Sequence, residues 1–399
     1  MKLPRNVRYL SLVAFFSSFY LYLPILTIYL QRKGLSLLEV TSLTSILIGT
    51  IFLSEIPTGI IADKIGRKSS IIVALLFQLL GEIVFLFGTQ YIHFAAISVI
   101  AGVGFAFQSG CIDALLYDSL IEEGKQELMK KAAGIKAFWA QTGHVLGAIL
   151  SSFLLAGLEP SKIQLSIILT VVNVAIAFVS SFLLKEPKMP YESKEKSPLA
   201  VLKSSFTLIN KSKKLRRIIL FGLFTTPFVA FLGNFQPPYY SLAGINLFWL
   251  GITLGMGGVL AAVLSKYAYL FEKKIGMNKA IIIAVLLPAI FYFLMSSSIF
   301  FALAPVLFIL NFGFIHLQDP LLADYYNIHI PSNIRATTLS SINMLLSLYI
   351  ALLGLLIGYV ADISVQSAFL LMGCLIFMGA IIFRINKSDV EIDPSASII

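Results

Sequence analysis

Residues 59 to 68 read Gly59-Ile60-Ile61-Ala62-Asp63-Lys64-Ile65-Gly66-Arg67-Lys68 and lie where two long apolar runs meet. One run ends near Ala62 and the next begins near Ser69, so the chain must reverse its direction within a few residues. Gly66 can supply the backbone freedom that so tight a turn requires. The basic residues alone are typical of any loop retained on the cytoplasmic side of a membrane. They do not explain the spacing of the glycines and the aspartate.

The composition favours a membrane protein. Of the 399 residues, 58% are hydrophobic and only 13% are charged, whereas a soluble domain of this length has room for far more polar surface. The net charge of +10 does not indicate a nucleic-acid partner, because basic residues collect in the cytoplasmic loops of membrane proteins. Cys111 and Cys374 lie inside apolar runs and are predicted to be packing residues rather than a disulfide or metal ligands.

Twelve apolar runs reach the roughly 20 residues that are needed to cross a bilayer. Backbone groups in lipid must be hydrogen-bonded within their own segment, so these runs are predicted to be helices. The first run is too long for a signal peptide and many more runs follow it, so it is expected to be a retained span. The twelve predicted spans are 8–30, 38–62, 69–88, 92–119, 132–157, 163–184, 217–240, 246–270, 279–297, 299–326, 336–360 and 366–384.

The basic residues predict the orientation of these spans. With the N-terminus in the cytoplasm, all but three of the 30 lysines and arginines fall in cytoplasmic segments. The three exceptions are Arg32, Lys33 and Lys162. Positive charge is retained on the cytoplasmic side, so both termini are predicted to be cytoplasmic in a multi-pass protein of the cell membrane.

A long polar connection, residues 185–216, divides the spans into two sets of six, 1–184 and 217–399. Ser197-Pro198 is typical of a helix start, and apolar residues then recur at helical spacing. We expect a short amphipathic helix on the cytoplasmic membrane face, with a disordered tether as the alternative. The apolar residues of this helix are Leu199, Leu202, Phe206 and Ile209.

The two sets of spans repeat one another. The fourth span contains Asp113-Ala114-Leu115-Leu116-Tyr117-Asp118, and the tenth contains Asp319-Pro320-Leu321-Leu322-Ala323-Asp324. Gly143 and Gly147 in the fifth span return as Gly354 and Gly358 in the eleventh. Duplicated halves are typical of secondary transporters, which carry substrate at the interface of two repeats.

The stretch from Gly59 to Lys68 resembles the signature loop between helices two and three of the major facilitator superfamily. That signature has glycine, three residues, aspartate, a basic residue, any residue, glycine and two basic residues, and every specified position matches. The resemblance implies an all-α membrane protein with twelve transmembrane helices in two pseudo-symmetric six-helix bundles. It also implies a conformational gate in which Arg67 pairs with Asp118. The gate residues are Gly59, Asp63, Gly66, Arg67, Lys68 and Asp118.

Acidic residues inside the spans are candidates for proton coupling, because such groups are expensive in a membrane. Asp113 is the first choice, Glu55 is its rival and Asp319 is its symmetry mate, whereas Glu82 is alone in the third span. Ser109 and Asp113 are expected to share a helix face at i,i+4. In the family, spans one, four, seven and ten line the cavity. The substrate-binding candidates there are Tyr20, Tyr22, Gln108, Ser109, Asn234, Gln236, Asn311 and His316.

These candidates have structural alternatives. Tyr20 and Tyr22 are equally compatible with an aromatic belt at the membrane interface. Asn311 and His316 could serve as interhelical hydrogen-bond partners. Asp118 could be purely structural.

Three stretches, residues 55–59, 113–120 and 335–340, are similar to those of small prokaryotic drug-efflux members of the family. Two departures limit this likeness. The fourth span lacks the arginine of many proton-coupled members, and Gly143 and Gly147 are followed by Ala148 without the proline of drug–proton antiporters.

We therefore expect a monomeric secondary transporter that exports small amphipathic or cationic organic molecules in exchange for protons. The alternatives are a proton-coupled importer of an organic nutrient and a non-transporting sensor of the same fold. An enzyme, a cofactor and a metal site are not expected, because the chain has no phosphate loop and its four histidines are scattered over different spans.

Overall fold

The computed structural model describes residues 4–187, 207, 209–210, 212–330 and 335–385. Within these ranges the chain consists of helices and their connections, without a β-strand. The amphipathic helix predicted between Ser197 and Ile209 lies almost entirely outside the described residues.

The first six spans are formed by eight α-helices in the described part of the chain. They are α1 (Arg5–Ser17), α2 (Leu26–Arg32), α3 (Leu37–Ile65), α4 (Arg67–Phe87), α5 (Tyr91–Gln108), α6 (Cys111–Glu122), α7 (Met129–Leu155) and α8 (Pro160–Ser181). The last six spans follow the same plan. Their described helices are α9 (Lys213–Thr225), α10 (Val229–Leu242), α11 (Trp249–Ile275), α12 (Met277–Met295), α13 (Ala304–His316), α14 (Gln318–His329), α15 (Arg335–Ile363) and α16 (Val365–Ile382).

The chain divides into two compact units. The first unit comprises Met1–Ser193 and Asn246–Gly255, and the second comprises Lys194–Ile245 and Met256–Ile399. In the first unit α4 packs on α5 and α8, and α1 packs on α8. The equivalent helices of the second unit make the same pairs, since α12 packs on α13 and α16, and α9 packs on α16. The internal repeat predicted from the sequence is therefore present in the packing.

Four of the spans are broken, and they are the first, fourth, seventh and tenth. The first is interrupted between Ser17 and Leu23, and the fourth at Ser109 and Gly110. The seventh is interrupted between α9 and α10, and the tenth between α13 and α14. The sequence predicted helical spans at all four places but did not predict these interruptions, and the one in the tenth span is slight, since Leu317 keeps helical dihedrals of φ −66° and ψ −22°. Interrupted helices in a membrane protein are found where the backbone is buried in protein or lines a cavity.

Eleven described helical segments are long and apolar enough to cross a membrane. The first predicted span is not among them, because its break leaves α1 with 13 residues and α2 with 7. Together with these two short helices, the eleven segments account for the twelve predicted spans.

The turn that the sequence predicts at Gly66 is present. The helix α3 ends at Ile65 and α4 begins at Arg67, so one residue joins the two helices. Gly66 has φ +90°, a conformation that residues with a side chain rarely adopt. The predicted role of this glycine is confirmed.

Candidate functional site

One end of the first unit carries Lys64, Arg67 and Lys68 and is called the basic end below. Arg67 Nη1 forms an ion pair with Asp118 Oδ2, which lies near the end of α6. This confirms the pair expected from the sequence, while its role in gating stays a prediction. Asp63 is exposed in the last turn of α3. The ammonium of Lys68 donates to the carbonyl oxygen of Phe182 at 2.9 Å.

Asp113 occupies the first turn of α6, immediately after the break in the fourth span. Its side chain is 66% exposed, and its Oδ1 atom lies 2.5 Å from the ammonium of Lys136 on α7. The sequence predicts an acid inside the fourth span, and in the structure this acid is exposed at the start of α6. Lys136, which was assigned to a cytoplasmic segment, lies inside α7, about 10 Å along the helix from Met129.

Ser109 does not share a helix face with Asp113. It lies in the break with φ −55° and ψ 124°, and Gly110 then takes a left-handed conformation with φ +73°. The prediction that Ser109 and Asp113 share a helix face at i,i+4 is therefore wrong. The break turns the chain so that α6 begins a new helix, with Asp113 in the first turn, where the helix dipole favours a negative charge.

The other two candidate acids differ from Asp113 in their surroundings. Glu55 is half-buried in α3, two residues before Pro57. Asp319 is exposed in the first turn of α14, close to His316, whose Nδ1 lies 2.8 Å from the carbonyl oxygen of Phe312. The side chains of Asp113 and Asp319 therefore occupy equivalent positions in the two halves of the repeat.

Tyr20 and Tyr22 lie in the broken segment of the first span rather than in an interfacial belt. Tyr22 is 6% exposed and donates a 2.7 Å hydrogen bond to Oε2 of Glu82 on α4. Gln78, one turn earlier on α4, donates to the hydroxyl oxygen of Tyr20 at 2.7 Å. The two tyrosine rings are 6.0 Å apart and almost perpendicular. Glu82 thus belongs to a polar cluster with these tyrosines, whereas the sequence alone indicated no role for it.

A narrow cleft between α4 and α5 lies beside this cluster. Its empty volume is about 170 Å³, and Gln78 and Gln108 are its polar lining residues. Pockets that hold a small organic ligand usually have about 300–1,000 Å³. The cleft is therefore too small to hold such a ligand by itself.

The candidates of the second unit are more deeply buried. Asn234 is half-buried and Gln236 is 1% exposed, both on α10. Asn311 is fully buried on α13, where its Nδ2 lies 3.8 Å from the sulfur of Met295 and its Oδ1 has no hydrogen-bond partner. An unpartnered buried amide oxygen is rare and costly, so Asn311 is not explained as a satisfied structural residue.

The described residues contain no group of three or more His, Cys, Asp or Glu side chains that could hold a metal ion. The first unit offers an exposed carboxylate–ammonium pair and a buried carboxyl with tyrosine partners, and the second unit offers neutral amides inside its helices. This set can bind and release protons and can orient a small polar ligand, and it lacks the clustered nucleophile that covalent catalysis needs.

Comparison with known proteins gives consistent results. Over 399 residues the chain is 24% identical to the uncharacterized MFS-type transporter YxaM of Bacillus subtilis (strain 168), with 94% of each chain covered. Among solved structures, the nucleoside transporter NupG superposes with a TM-score of 0.77 at 14% identity, covering 97% of this chain and 100% of that one. A D-xylose-proton symporter superposes with a TM-score of 0.71 at 14% identity, covering 97% and 98%.

A POT family transporter in complex with 5-aminolevulinic acid has a TM-score of 0.75 at 15% identity, with 97% of each chain covered. At such identities the solved structures support the fold alone. The sequence itself matches the model of the Major Facilitator Superfamily over residues 9–353. With this match, the repeated bundles and the turn at Gly66, the chain belongs to the Major Facilitator Superfamily and is a membrane transporter.

Proposed function

We propose that this transporter exports small amphipathic or cationic organic molecules in exchange for protons, by alternating access. The observation that carries the proposal is the exposed carboxylate of Asp113, paired with Lys136 beside the break in the fourth span. Because this carboxylate is 66% exposed, it is accessible to water and to a ligand, and an ionisable group inside a membrane span is a candidate for a functional role.

The Asp113–Lys136 pair suggests how exchange could be enforced. One carboxylate can accept a proton or pair with an organic cation, but the two events exclude each other. In the structure Lys136 neutralises the carboxylate, and an incoming organic cation or proton has to take the place of its ammonium. A substrate that leaves therefore makes room for a proton, and a proton that leaves makes room for a substrate.

Aromatic side chains beside the pair suit an amphipathic cation. Tyr117 follows Asp113 by one turn of α6 and is 48% exposed, and Trp139 follows Lys136 by one turn of α7 and is 43% exposed. The faces of such rings attract organic cations by about 0.5–2 kcal/mol. The ring of Trp139 also lies 5.9 Å from that of Phe15 on α1, next to the break in the first span.

The broken spans support the wider set of substrate candidates. Tyr20 and Tyr22 lie in the first break, Gln108 and Ser109 at the fourth, and His316 at the tenth. Irregular backbone in membrane transporters is typical of substrate sites. We infer that these residues, together with Asn234, Gln236 and Asn311, contact the substrate during the cycle. Glu55 and Asp319 remain alternative carriers of the coupling proton.

The basic end is proposed to face the cytoplasm, with both termini on that side of the cell membrane and with the monomer as the working unit. The residues Gly59, Asp63, Gly66, Arg67, Lys68 and Asp118 would then form the inner gate. If Asp63 holds that gate, Asp63→Asn keeps substrate binding and slows transport. An unchanged transport rate in this variant would remove the gate role.

A growth test decides between the proposed function and its alternatives. A strain that lacks its own exporters is made to express the protein or its Asp113→Asn variant and is challenged with toxic organic cations, ethidium being the first probe. Export predicts that the protein raises the inhibitory concentration and that Asp113→Asn does not. Increased sensitivity would instead favour an importer.

A reconstituted system tests the coupling. Proteoliposomes with an imposed pH gradient are expected to concentrate ethidium, whereas Asp113→Asn exchanges labelled for unlabelled ethidium at equal concentrations but does not concentrate it. The matched control is Glu123→Gln, which removes an exposed carboxylate at the opposite end of the same helix. Binding of ethidium without counterflow would favour a sensor.

A further inference from the structure

Glu82 is a buried carboxyl in the interior of α4. It is 8% exposed and lies five residues before Phe87, or about 7 Å from that end of the helix. Gln78 precedes it by one turn, so both side chains project from the same face of α4. Neither residue is explained by apolar packing.

The surroundings of Glu82 provide hydrogen bonds but no positive charge. The hydroxyl of Tyr22 donates to Oε2 at 2.7 Å, and Tyr20 lies on the same side. Among the ion pairs of the described residues, none involves Glu82. A carboxylate buried without a cation is costly, and the neutral acid avoids that cost.

The partners of Glu82 belong to the broken segment of the first span, residues 18–22. The same segment is hydrogen-bonded to α8, since the Leu21 N–H donates to Thr170 Oγ1 at 3.2 Å and Asn173 donates to the Phe19 carbonyl at 3.2 Å. Gln78 donates to the Tyr20 hydroxyl on the other side. The segment is therefore held by polar side chains, and Glu82 is the ionisable one among those named here.

We propose that Glu82 is a proton-binding site of this transporter, in addition to the acids considered above, and that its protonation state controls how the segment 18–22 is held. In the proton-loaded form the neutral acid accepts from Tyr22. On release, the carboxyl O–H bond breaks, the proton passes to water at the Phe87 end of α4, and the carboxylate takes hydrogen bonds from both Tyr22 and Tyr20. No other bond changes.

The titratable groups that face Glu82 are Tyr20 and Tyr22 from the broken segment. Tyr29 of α2 is near the same cluster, with its ring 5.6 Å from that of Phe85. Within the described residues, α3, α5, α6 and α8 bring no acidic or basic side chain into an ion pair with it. The response of Glu82 to pH is thus governed by burial and by the tyrosine hydroxyls.

A purely structural hydrogen bond would not need an acid. A glutamine at position 82 could accept from Tyr22 through its amide oxygen, keep the shape of the cluster and bind no proton. Glu82→Gln therefore separates the proposed role from a structural one. Asp113→Asn is the matched variant, because it also removes one carboxyl from the first unit but leaves the cluster intact.

The direct test is infrared difference spectroscopy of the purified full-length protein during a pH titration. A protonated-carboxyl stretching band that disappears as the pH rises is expected in the wild-type protein and in Asp113→Asn, and it should be lost in Glu82→Gln. Tyr22→Phe, which removes the hydrogen bond to Oε2 but not the carboxyl, should shift the midpoint of the same band. A band unchanged by both Glu82→Gln and Tyr22→Phe would overturn the proposal.

A second measurement reports on the broken segment. In a Trp249→Phe background, Trp139 is the remaining tryptophan and lies against Phe15, close to residues 18–22. Its fluorescence should change with pH in step with the infrared band, and this change should be absent in Glu82→Gln. A pH response that persists in Glu82→Gln combined with Asp113→Asn, which removes the carboxylate paired with Lys136 near Trp139, would contradict control of the segment by Glu82.

The expected effect of Glu82 on transport rests on the proposed function. The transport measurement distinguishes failure of the Glu82 proposal from failure of the proposed function. If ethidium export is driven by protons, Glu82→Gln should lose the pH dependence of the export rate. Wild-type pH dependence in that variant would overturn the role of Glu82 while leaving proton-driven export in place. Absence of any proton-driven export, with the infrared band still assigned to Glu82, would overturn the proposed function alone.

Discussion

The carboxylate of Glu186 lies across the start of α4, where its Oε1 accepts a hydrogen bond from the backbone N–H of Arg67 at 2.9 Å. The other oxygen accepts from the N–H of Lys68 at 2.7 Å. The first turn of a helix leaves its N–H groups without partners and carries partial positive charge, so an anion here satisfies both needs. Glu186 follows α8, and it therefore ties the residues that begin the linker to the turn at Gly66.

This contact predicts a measurable loss of stability in Glu186→Ala. Removal of a side chain that caps a helix start costs about 1 kcal/mol, so the melting temperature of the protein in detergent should fall. Glu186→Gln keeps an acceptor oxygen and should lose less. The control is Glu123→Ala, which removes an exposed pair with Lys125 and should change stability by less than about 1 kcal/mol. Equal losses at the two positions would argue against the capping role.

The ion pair between Arg67 and Asp118 predicts that the two residues are energetically coupled. Arg67→Gln and Asp118→Asn should each destabilise the protein, and the double variant should lose less than the sum, with a coupling of about 1 kcal/mol. The comparison pair is Lys185 with Glu122, which lies at the same end at 3.2 Å, where Lys185 is 53% exposed. That pair should show weaker coupling, because water screens it. Additive losses at Arg67 and Asp118 would mean that the contact carries no energy.

The close approach of α1 and α7 predicts opposite effects for two glycines of the same helix. A Cβ atom at Gly143 would lie 2.3 Å from the carbonyl oxygen of Phe15, whereas a Cβ at Gly134 would meet nothing within 4 Å. Gly143→Ala should therefore cost about 1–3 kcal/mol through overpacking. Gly134→Ala should be neutral or stabilising, because alanine favours a helix by about 1 kcal/mol over glycine. The measurement is thermal unfolding of both variants in the same detergent.

Gly110 allows a test of the break in the fourth span by backbone strain alone. Its φ is +73°, and a Cβ would meet nothing within 4 Å. Gly110→Ala should lower the free energy of unfolding by about 1–2 kcal/mol, because the left-handed conformation at this position is the only source of strain for an alanine. Gly110→Asn should cost less, because asparagine tolerates that conformation better. If both variants were as stable as the wild-type protein, the break would not require a left-handed residue.

The sequence predicts the regular parts of this fold well, because its signals are local. Gly66 stands between two apolar runs, and that arrangement alone indicates the turn. The break in the first span has a local signal in Pro24, but its polar partners have none, since the partner of the Leu21 N–H is Thr170, 149 positions away. The same reason explains Asp113, whose ion-pair partner Lys136 lies in the next span, 23 positions away. Glu82 does have a signal in the sequence, because it is an acid one turn after Gln78 in an otherwise apolar span.

The broken segment of the first span has a consequence for how the protein is made. Its partners Thr170 and Asn173 leave the ribosome long after the first span has entered the bilayer, and unsatisfied backbone groups in lipid cost several kcal/mol each. We expect the newly synthesised first span to insert as one continuous helix and to be rearranged when α8 is inserted. Nascent chains stalled before and after α8, each with Cys111→Ser and with Ser18→Cys as the single cysteine, should differ in their labelling. Biogenesis of this transporter would then include a late rearrangement of its earliest helix, at a point where an unfinished chain is open to quality control.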